Sequence, residues 1–385
     1  MQRYKKLLIC TASFSVTFFV TLISQPRLLA NDRDNITETF QIERNGDFVL
    51  VPITIDDREY QFVLDTGSSV TVFDASLKPY LIPSGKIMQL NEVGSVELFE
   101  SRVGFIGKSR LQLAKQAVCH DLSDFRKRSG HDIRGFLGMD FLIHHVIEID
   151  FDGGRVAFLK NSESAKGEIV PIEFFFNGIP VVEATVAGDE TNMFLVDTGL
   201  CGFGDGRLAF STFRDLARTE RLTISKEPYK AVSMAGVATA REGTLSEFRI
   251  GTFRHSKMIF GESNGNSNRL GLGYVSRFKM TFDFGKQRLY LAEGKRFHRP
   301  SLQKSAVGFS VIDVDGHRVM SDVDERGIGH KSGARESDRI LDVSGQDATA
   351  MTLFELRRLL RPGVQLKLSA PDSTNVRIIR LVPND

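Results

Sequence analysis

The chain has 385 residues, a net charge of +2 and a hydrophobic content of 41%. That length leaves room for more than one core, and so balanced a charge gives no electrostatic footprint for nucleic acid. Beyond the first thirty residues only Cys119 and Cys201 remain, which excludes a disulfide scaffold and leaves one bridge or two thiols as the choices.

Residues 1–30 carry Arg3, Lys5 and Lys6, then an apolar run from Leu7 to Ile23 that Gln25-Pro26 breaks. Leu28-Leu29-Ala30 offers a cleavage site, so the segment reads as a secretory signal and the protein as exported, periplasmic or secreted. Residues 7–24 are also about long enough for one span, so membrane anchoring is the other reading.

Val51, Ile53 and Ile55 alternate as in a half-buried strand. Phe62-Val63-Leu64-Asp65-Thr66-Gly67-Ser68-Ser69 follows. Downstream come Phe136-Leu137-Gly138 and then Ile149-Asp150-Phe151-Asp152-Gly153-Gly154-Arg155-Val156. The same order then returns. Val182, Ala184 and Val186 alternate before Phe194-Leu195-Val196-Asp197-Thr198-Gly199-Leu200-Cys201, followed by Leu270-Gly271 and Phe282-Asp283-Phe284-Gly285-Lys286-Gln287-Arg288-Leu289. Asp65 and Asp197 are 132 residues apart, and the pairs Gly138/Gly271, Asp150/Asp283 and Arg155/Arg288 are each 133 apart. Between the anchors the spacing drifts: Gly94 pairs with Gly236 and Gly107 with Gly251. A repeated framework with variable loops is what packed strands and exposed connections produce. One carboxylate per repeat suggests an acid–base pair that activates water.

These motifs resemble the pepsin and retropepsin superfamily of aspartic peptidases, with both lobes in one chain over roughly residues 45–295. The resemblance implies a mainly β, bilobal double-barrel fold, with Asp65 and Asp197 as the catalytic pair. It implies that Thr66 and Thr198 brace the two loops through mutual hydrogen bonds. Gly67 and Gly199 would permit close backbone approach, and Ser68 would hydrogen-bond the outer oxygen of Asp65. No metal or other cofactor is required. Leu200 stands where Ser, Thr or Ala would be usual, so Asp197 is expected to lack an extra hydroxyl donor and the pair to bind its proton somewhat more tightly. Arg269, before Leu270-Gly271, departs from the apolar pattern. A flap is expected from Asn91–Gly107 by family order, with Ser233–Gly251 its counterpart.

From about Ser301 the pattern changes. Ala306-Val307-Gly308-Phe309-Ser310-Val311, the Gly327 to Gly333 segment and Asp338-Arg339-Ile340-Leu341-Asp342-Val343-Ser344-Gly345 resemble a PDZ domain. Thr352 to Leu360 has apolar residues at helical spacing, stopped by Pro362-Gly363. Val364, Leu366 and Leu368 alternate after it, as do Val376 and Ile378. The resemblance implies an α+β module in which Val307, Gly308 and Phe309 hold the C-terminal carboxylate of a peptide partner and the helix start near Leu353 receives its last side chain. A packing role without ligand is the alternative.

Other features read as structural. His144-His145 lacks metal-site spacing. Asn35-Ile36-Thr37 is a glycosylation sequon relevant only on a eukaryotic secretory route. Gly202-Phe203-Gly204-Asp205-Gly206 lacks a phosphate-loop Lys and reads as a turn, and Arg126-Lys127-Arg128 as a solvated loop. The expected organisation is thus a leader at 1–30, lobes at 31–162 and 163–298, and a PDZ module at 299–385. The expected function is an aspartic endopeptidase acting on polypeptides. A catalytically inactive peptide-binding protein is the rival.

Overall fold

The computed structural model describes residues 32–382 apart from 45–46, 91–93, 102–103, 114, 176–177, 189, 203, 226–227, 234–235, 302–306 and 372. The expected leader therefore lies outside the described residues. Among those described, no helix is long and apolar enough to cross a membrane.

The chain is mainly β and builds several sheets. Val51, Ile53 and Ile55 bury their side chains in the strand Leu50–Ile55, which pairs antiparallel with Arg58–Leu64. Val182, Ala184 and Val186 do the same in Ile179–Val186, paired with Glu190–Val196. Each second strand then receives a parallel neighbour from far downstream: Ile133–Leu137 beside the first, Asn268–Leu270 beside the other. In each case a short helix follows, Met139–Leu142 after Gly138 and Leu272–Val275 after Gly271. These strands belong to a nine-stranded sheet in the first half and an eight-stranded sheet in the second.

A third sheet of six strands joins the halves through the antiparallel pair Val146–Asp150 and Phe278–Asp283. Its register centres on Glu148 opposite Thr281, which are themselves 133 residues apart. The repeat spacing thus sets the register: corresponding strands meet about a local two-fold axis. Beneath, Phe151, Phe158, Phe194, Phe248, Phe260, Phe278 and Phe282 are fully buried in one continuous core. Burying an aromatic side chain of this kind contributes about 1.5–3 kcal/mol each.

Each half carries a hairpin. In the first, Leu81–Leu90 pairs with Gly94–Ser101. In the second, Tyr229–Ser233 pairs with Gly236–Ala240 as a separate two-stranded ribbon. Gly94 (φ 90°) and Gly236 (φ 110°) open the return strands. The span Asn91–Gly107 omits the outgoing strand of the first hairpin, which starts ten residues earlier at Leu81, and runs past the return strand into the short strand Phe105–Ile106, which pairs with Leu50–Ile55. The tip of that hairpin, which includes Val93, and Ala235 at the other tip lie outside the described residues.

Residues 307–381 form a core of their own, with Val307, Val311, Ile340, Leu353, Leu356, Leu366 and Leu368 buried. The sheet runs Ser310–Val314, His317–Ser321, Arg339–Val343, Gln365–Ser369, Val376–Arg380, all neighbours antiparallel. The helix Leu353–Leu359 begins in a capping box: Thr352 accepts from the Glu355 N–H while Glu355 accepts from that of Thr352. In the last strand the expected alternation has the wrong phase. Val376 and Ile378 face solvent and Ile379 points inward, since this is an edge strand covered on one face only.

Two further readings change, and the choice between one bridge and two thiols falls to the thiols. Arg126 and Arg128 are helical, in Ser123–Ser129, and engaged: Arg126 donates to Asp74 at 2.6 Å, Arg128 to Asp124 and Asp322 at 2.7 Å each. Asn35 of the sequon is buried, and its amide donates to the Asn161 carbonyl and Ser164. No disulfide joins Cys119 and Cys201.

Candidate active site

Asp65 and Asp197 each stand one residue past a strand end, fixed by the parallel neighbour. The Asp65 N–H donates to the Leu137 carbonyl at 3.0 Å, and that of Asp197 to Leu270 at 2.9 Å. The two loops then lock reciprocally. The Thr66 N–H donates to Thr198 Oγ1 at 3.0 Å and the Thr198 N–H to Thr66 Oγ1 at 3.1 Å. Each hydroxyl passes its own proton on across the axis, Thr66 to the Val196 carbonyl at 2.5 Å and Thr198 to that of Leu64 at 2.6 Å. Both threonines are fully buried.

The glycines bring the carboxyls face to face. A Cβ on Gly67 would lie 2.4 Å from the Asp197 carboxyl carbon, and one on Gly199 would lie 2.3 Å from that of Asp65. Neither glycine has a positive φ, so the requirement here is space rather than backbone conformation. The Gly67 N–H donates to Asp65 Oδ1 at 2.8 Å, and the Gly199 N–H to Asp197 Oδ1 at 3.1 Å. Both aspartates are under one-tenth exposed. Burial, and then the facing Asp197 carboxyl, push Asp65 up to about 8. Two carboxyls so placed share one proton over a wide pH range. Their titration belongs to the pair.

Two expected details differ. The Ser68 hydroxyl turns away from Asp65 and donates to the Val70 carbonyl at 2.8 Å, so it satisfies the loop backbone. At Leu200 the missing hydroxyl is more than replaced. The Leu200 N–H donates to Asp197 Oδ1 at 2.9 Å, and Arg269 Nη1 reaches Asp197 Oδ2 at 3.3 Å. The expected rise in proton affinity is therefore opposed by a full positive charge. Leu200 itself packs on Gly271, whose added Cβ would sit 2.9 Å from Leu200 Cγ.

A second pair of acids, which sequence reasoning missed, supports the loops from behind. Asp74 and Asp205 follow the two aspartates by nine and eight residues, a duplication visible in the sequence. Asp74 Oδ2 accepts from the Leu122 N–H and Arg126, while Asp205 accepts from the Ile259 N–H and Arg277. Burial alone would raise Asp74, but donors on Ser76, Arg126 and Leu122 hold it down at about 2. Arg277 is buried and also donates to the carbonyls of Phe297 and Arg299. His145 stacks on Phe141 with ring centroids 4.3 Å apart, and burial, with His144 beside it, pushes it down to about 4. Among the described residues, no three His, Cys, Asp or Glu side chains gather as metal ligands would.

In the C-terminal module, Val307 and Phe309 are buried in the core, and Gly308 turns the chain at φ 78° against Gly327. The carbonyls of Val307 and Gly308 accept from the N–H groups of Gly329 and Asp324 at 2.7 Å. The strand Ser310–Val314 is an edge of its sheet, and the groove between it and the helix Leu353–Leu359 faces the first half. The Ser123–Ser129 helix packs against both elements. Arg357 donates to the Val311 carbonyl at 2.7 Å and also to the Arg128 carbonyl. Gly130, the C-cap of that helix, sits on Leu353, the position expected to receive a peptide side chain.

A scan against models of known families and a search of curated proteins find no match to this chain.

Proposed function

We propose that this protein is a single-chain aspartic endopeptidase of pepsin- and retropepsin-like bilobal architecture, with a C-terminal PDZ-like module. The observation that carries the proposal is the reciprocal approach of each motif glycine to the other motif's carboxyl, with the threonine bracket behind it. A binding cleft has no chemical need of two facing buried acids, which cost stability to bring together. A dyad holding one proton has a use for both. Its ionised member takes a proton from water as the oxygen attacks a peptide carbonyl, and its protonated member donates to the carbonyl oxygen. Two carboxylates that share one proton are the known working pair of aspartic proteases.

The lobes would be residues 31–162 and 163–298, and the module 299–385. Export follows from the leader pattern alone. For the module, packing on the first lobe is the better-supported role, because the edge that would accept a peptide is covered by the Ser123–Ser129 helix.

The test is cleavage of a mixed peptide library by residues 31–385 between pH 3 and 8, beside Asp65→Asn and Asp197→Asn. Cleavage present in the wild type and absent in both variants is expected. Activity surviving in either variant would refute the dyad, and no cleavage at any pH would favour the binding protein.

A further inference from the structure

The two halves repeat closely around the dyad but break symmetry at one position. In the first half Phe136 precedes Leu137-Gly138, and it is buried in an apolar cluster. Its counterpart 133 residues on is Arg269, which precedes Leu270-Gly271 and reaches Asp197 Oδ2 at 3.3 Å. We propose that Arg269 is the positioning residue that keeps Asp197 ionised and leaves the shared proton on Asp65, so that the two aspartates have fixed roles. This rests on the peptidase reading.

The donors are distributed accordingly. Asp197 receives the N–H groups of Gly199 and Leu200 on one oxygen and a guanidinium on the other. Asp65 receives the N–H groups of Gly67 and Ser68 and feels the Arg269 charge as well, but the guanidinium's hydrogen bond goes to Asp197. Hydrogen bonds and an opposite charge both favour the ionised form of the group that gets more of them. A guanidinium keeps its charge at every pH an enzyme meets. The charged surroundings agree in sign. Asp197 faces Asp65 across the dyad and Arg269 from the strand Asn268–Leu270. Directly beside Arg269 on the neighbouring strand is Arg207. Near Cys201, in the same loop as Asp197, lies Arg357 of the C-terminal helix. The high affinity of Asp65 for its proton, about 8, is consistent with this assignment.

The chemistry then runs in one direction. Water attacks the peptide carbonyl carbon, a carbon–oxygen bond forms, and Asp197 takes the water proton. Asp65 gives its proton to the carbonyl oxygen, leaving a neutral diol. Asp197 next delivers its proton to the amide nitrogen as the carbon–nitrogen bond breaks. One diol hydroxyl becomes the new carboxyl as its proton returns to Asp65, which restores the starting state.

Two measurements test this. The first is kcat/KM against pH for the wild type, Arg269→Met and Arg269→Lys. Removing the charge should move the acid limb upward by about one to three pH units, and lysine should restore most of it. A profile lowered in height but unmoved in pH would mean that Arg269 only supports the fold. The second is titration of aspartate carboxyl carbons by NMR in the same proteins, which requires no turnover. The dyad signals should titrate higher in Arg269→Met, with Asp197 the lower of the pair in the wild type. Unmoved signals overturn the inference whether or not the protein cleaves anything. Moved signals in a protein that shows no Asp65-dependent cleavage would instead overturn the peptidase reading alone.

Discussion

Replacing Thr198 by Val keeps the shape and removes only the hydroxyl. It strips the Thr66 N–H of its acceptor at 3.0 Å and the Leu64 carbonyl of its donor at 2.6 Å. Each buried backbone group that loses its partner costs about 1–3 kcal/mol, so the substitution should destabilise by about 2–6 kcal/mol. Thr66→Val should cost a similar amount, through the Thr198 N–H and the Val196 carbonyl. The double variant should cost less than the two together. Once either hydroxyl is gone the loops can part and the remaining bonds lose their geometry, a coupling of about 0.5–3 kcal/mol. Thr→Ser at either site keeps the bonds and should stay close to wild type. The chain has no tryptophan, so urea unfolding is best followed by circular dichroism, with a second probe to check that the transition is single. If either Val variant shifts stability by less than about 0.5 kcal/mol, the hydroxyls are not holding the halves together. Additivity within about 0.3–0.5 kcal/mol would refute the coupling.

Other perturbations follow from the same geometry. Gly199→Ala puts a methyl 2.3 Å from the Asp65 carboxyl carbon and should lower kcat/KM at least about a hundredfold by misplacing the dyad; a near-normal rate would contradict the close approach. Because the folded state raises Asp65 to about 8, it binds more protons than the unfolded chain above pH 4 or so, and stability falls as pH rises to about 8. Asp65→Asn should therefore melt higher than wild type at pH 7–8, with the gain vanishing toward pH 4; equal melting at both pH values would argue against the buried proton. Asp74 carries the opposite sign. Its pKa falls from 3.8 to about 2, so its contribution is present above pH 4 and lost as pH drops through 2, and Asp74→Asn should flatten the acid limb of a stability–pH curve. Arg277→Met would leave Asp205 buried beside no cation and should cost about 3–5 kcal/mol in thermal unfolding, with a loss under about 1 kcal/mol contradicting a dry pair.

How much of this was legible from residues alone depended on whether a position is repeated. The dyad, the threonines and the glycines occur twice at near-constant spacing, and so do Val51 to Ile55 and Val182 to Val186, whose alternation matches their burial. The same spacing contained Asp74 and Asp205, but single acids carry no local pattern and their partners Arg126 and Arg277 are distant in sequence. Ser68 was misread because its hydroxyl has two acceptors within reach, and only the loop's closure selects the Val70 carbonyl. Arg269 was visible as an interruption of an apolar motif, yet its role depends on a contact across 72 residues. The Arg126-Lys127-Arg128 run looked solvated because its charges are balanced by Asp74 and Asp322, the latter in another part of the chain. Val376 and Ile378 alternate in sequence, but which phase faces inward was fixed by what covers the sheet.

The covered groove of the C-terminal module changes what affinity would mean for any peptide that bound there. The Ser123–Ser129 helix is part of the same chain, so it competes as an intramolecular ligand whose effective concentration does not fall on dilution. A free peptide whose affinity for the isolated module was micromolar would see that affinity weakened by the strength of the resident contact, which includes the Arg128–Asp322 pair at 2.7 Å. The helix also leads through Gly130 into Ile133–Leu137, the strand whose Leu137 carbonyl holds the Asp65 amide. Occupancy of the groove and order at the carboxyl pair are therefore separated by a single stretch of chain.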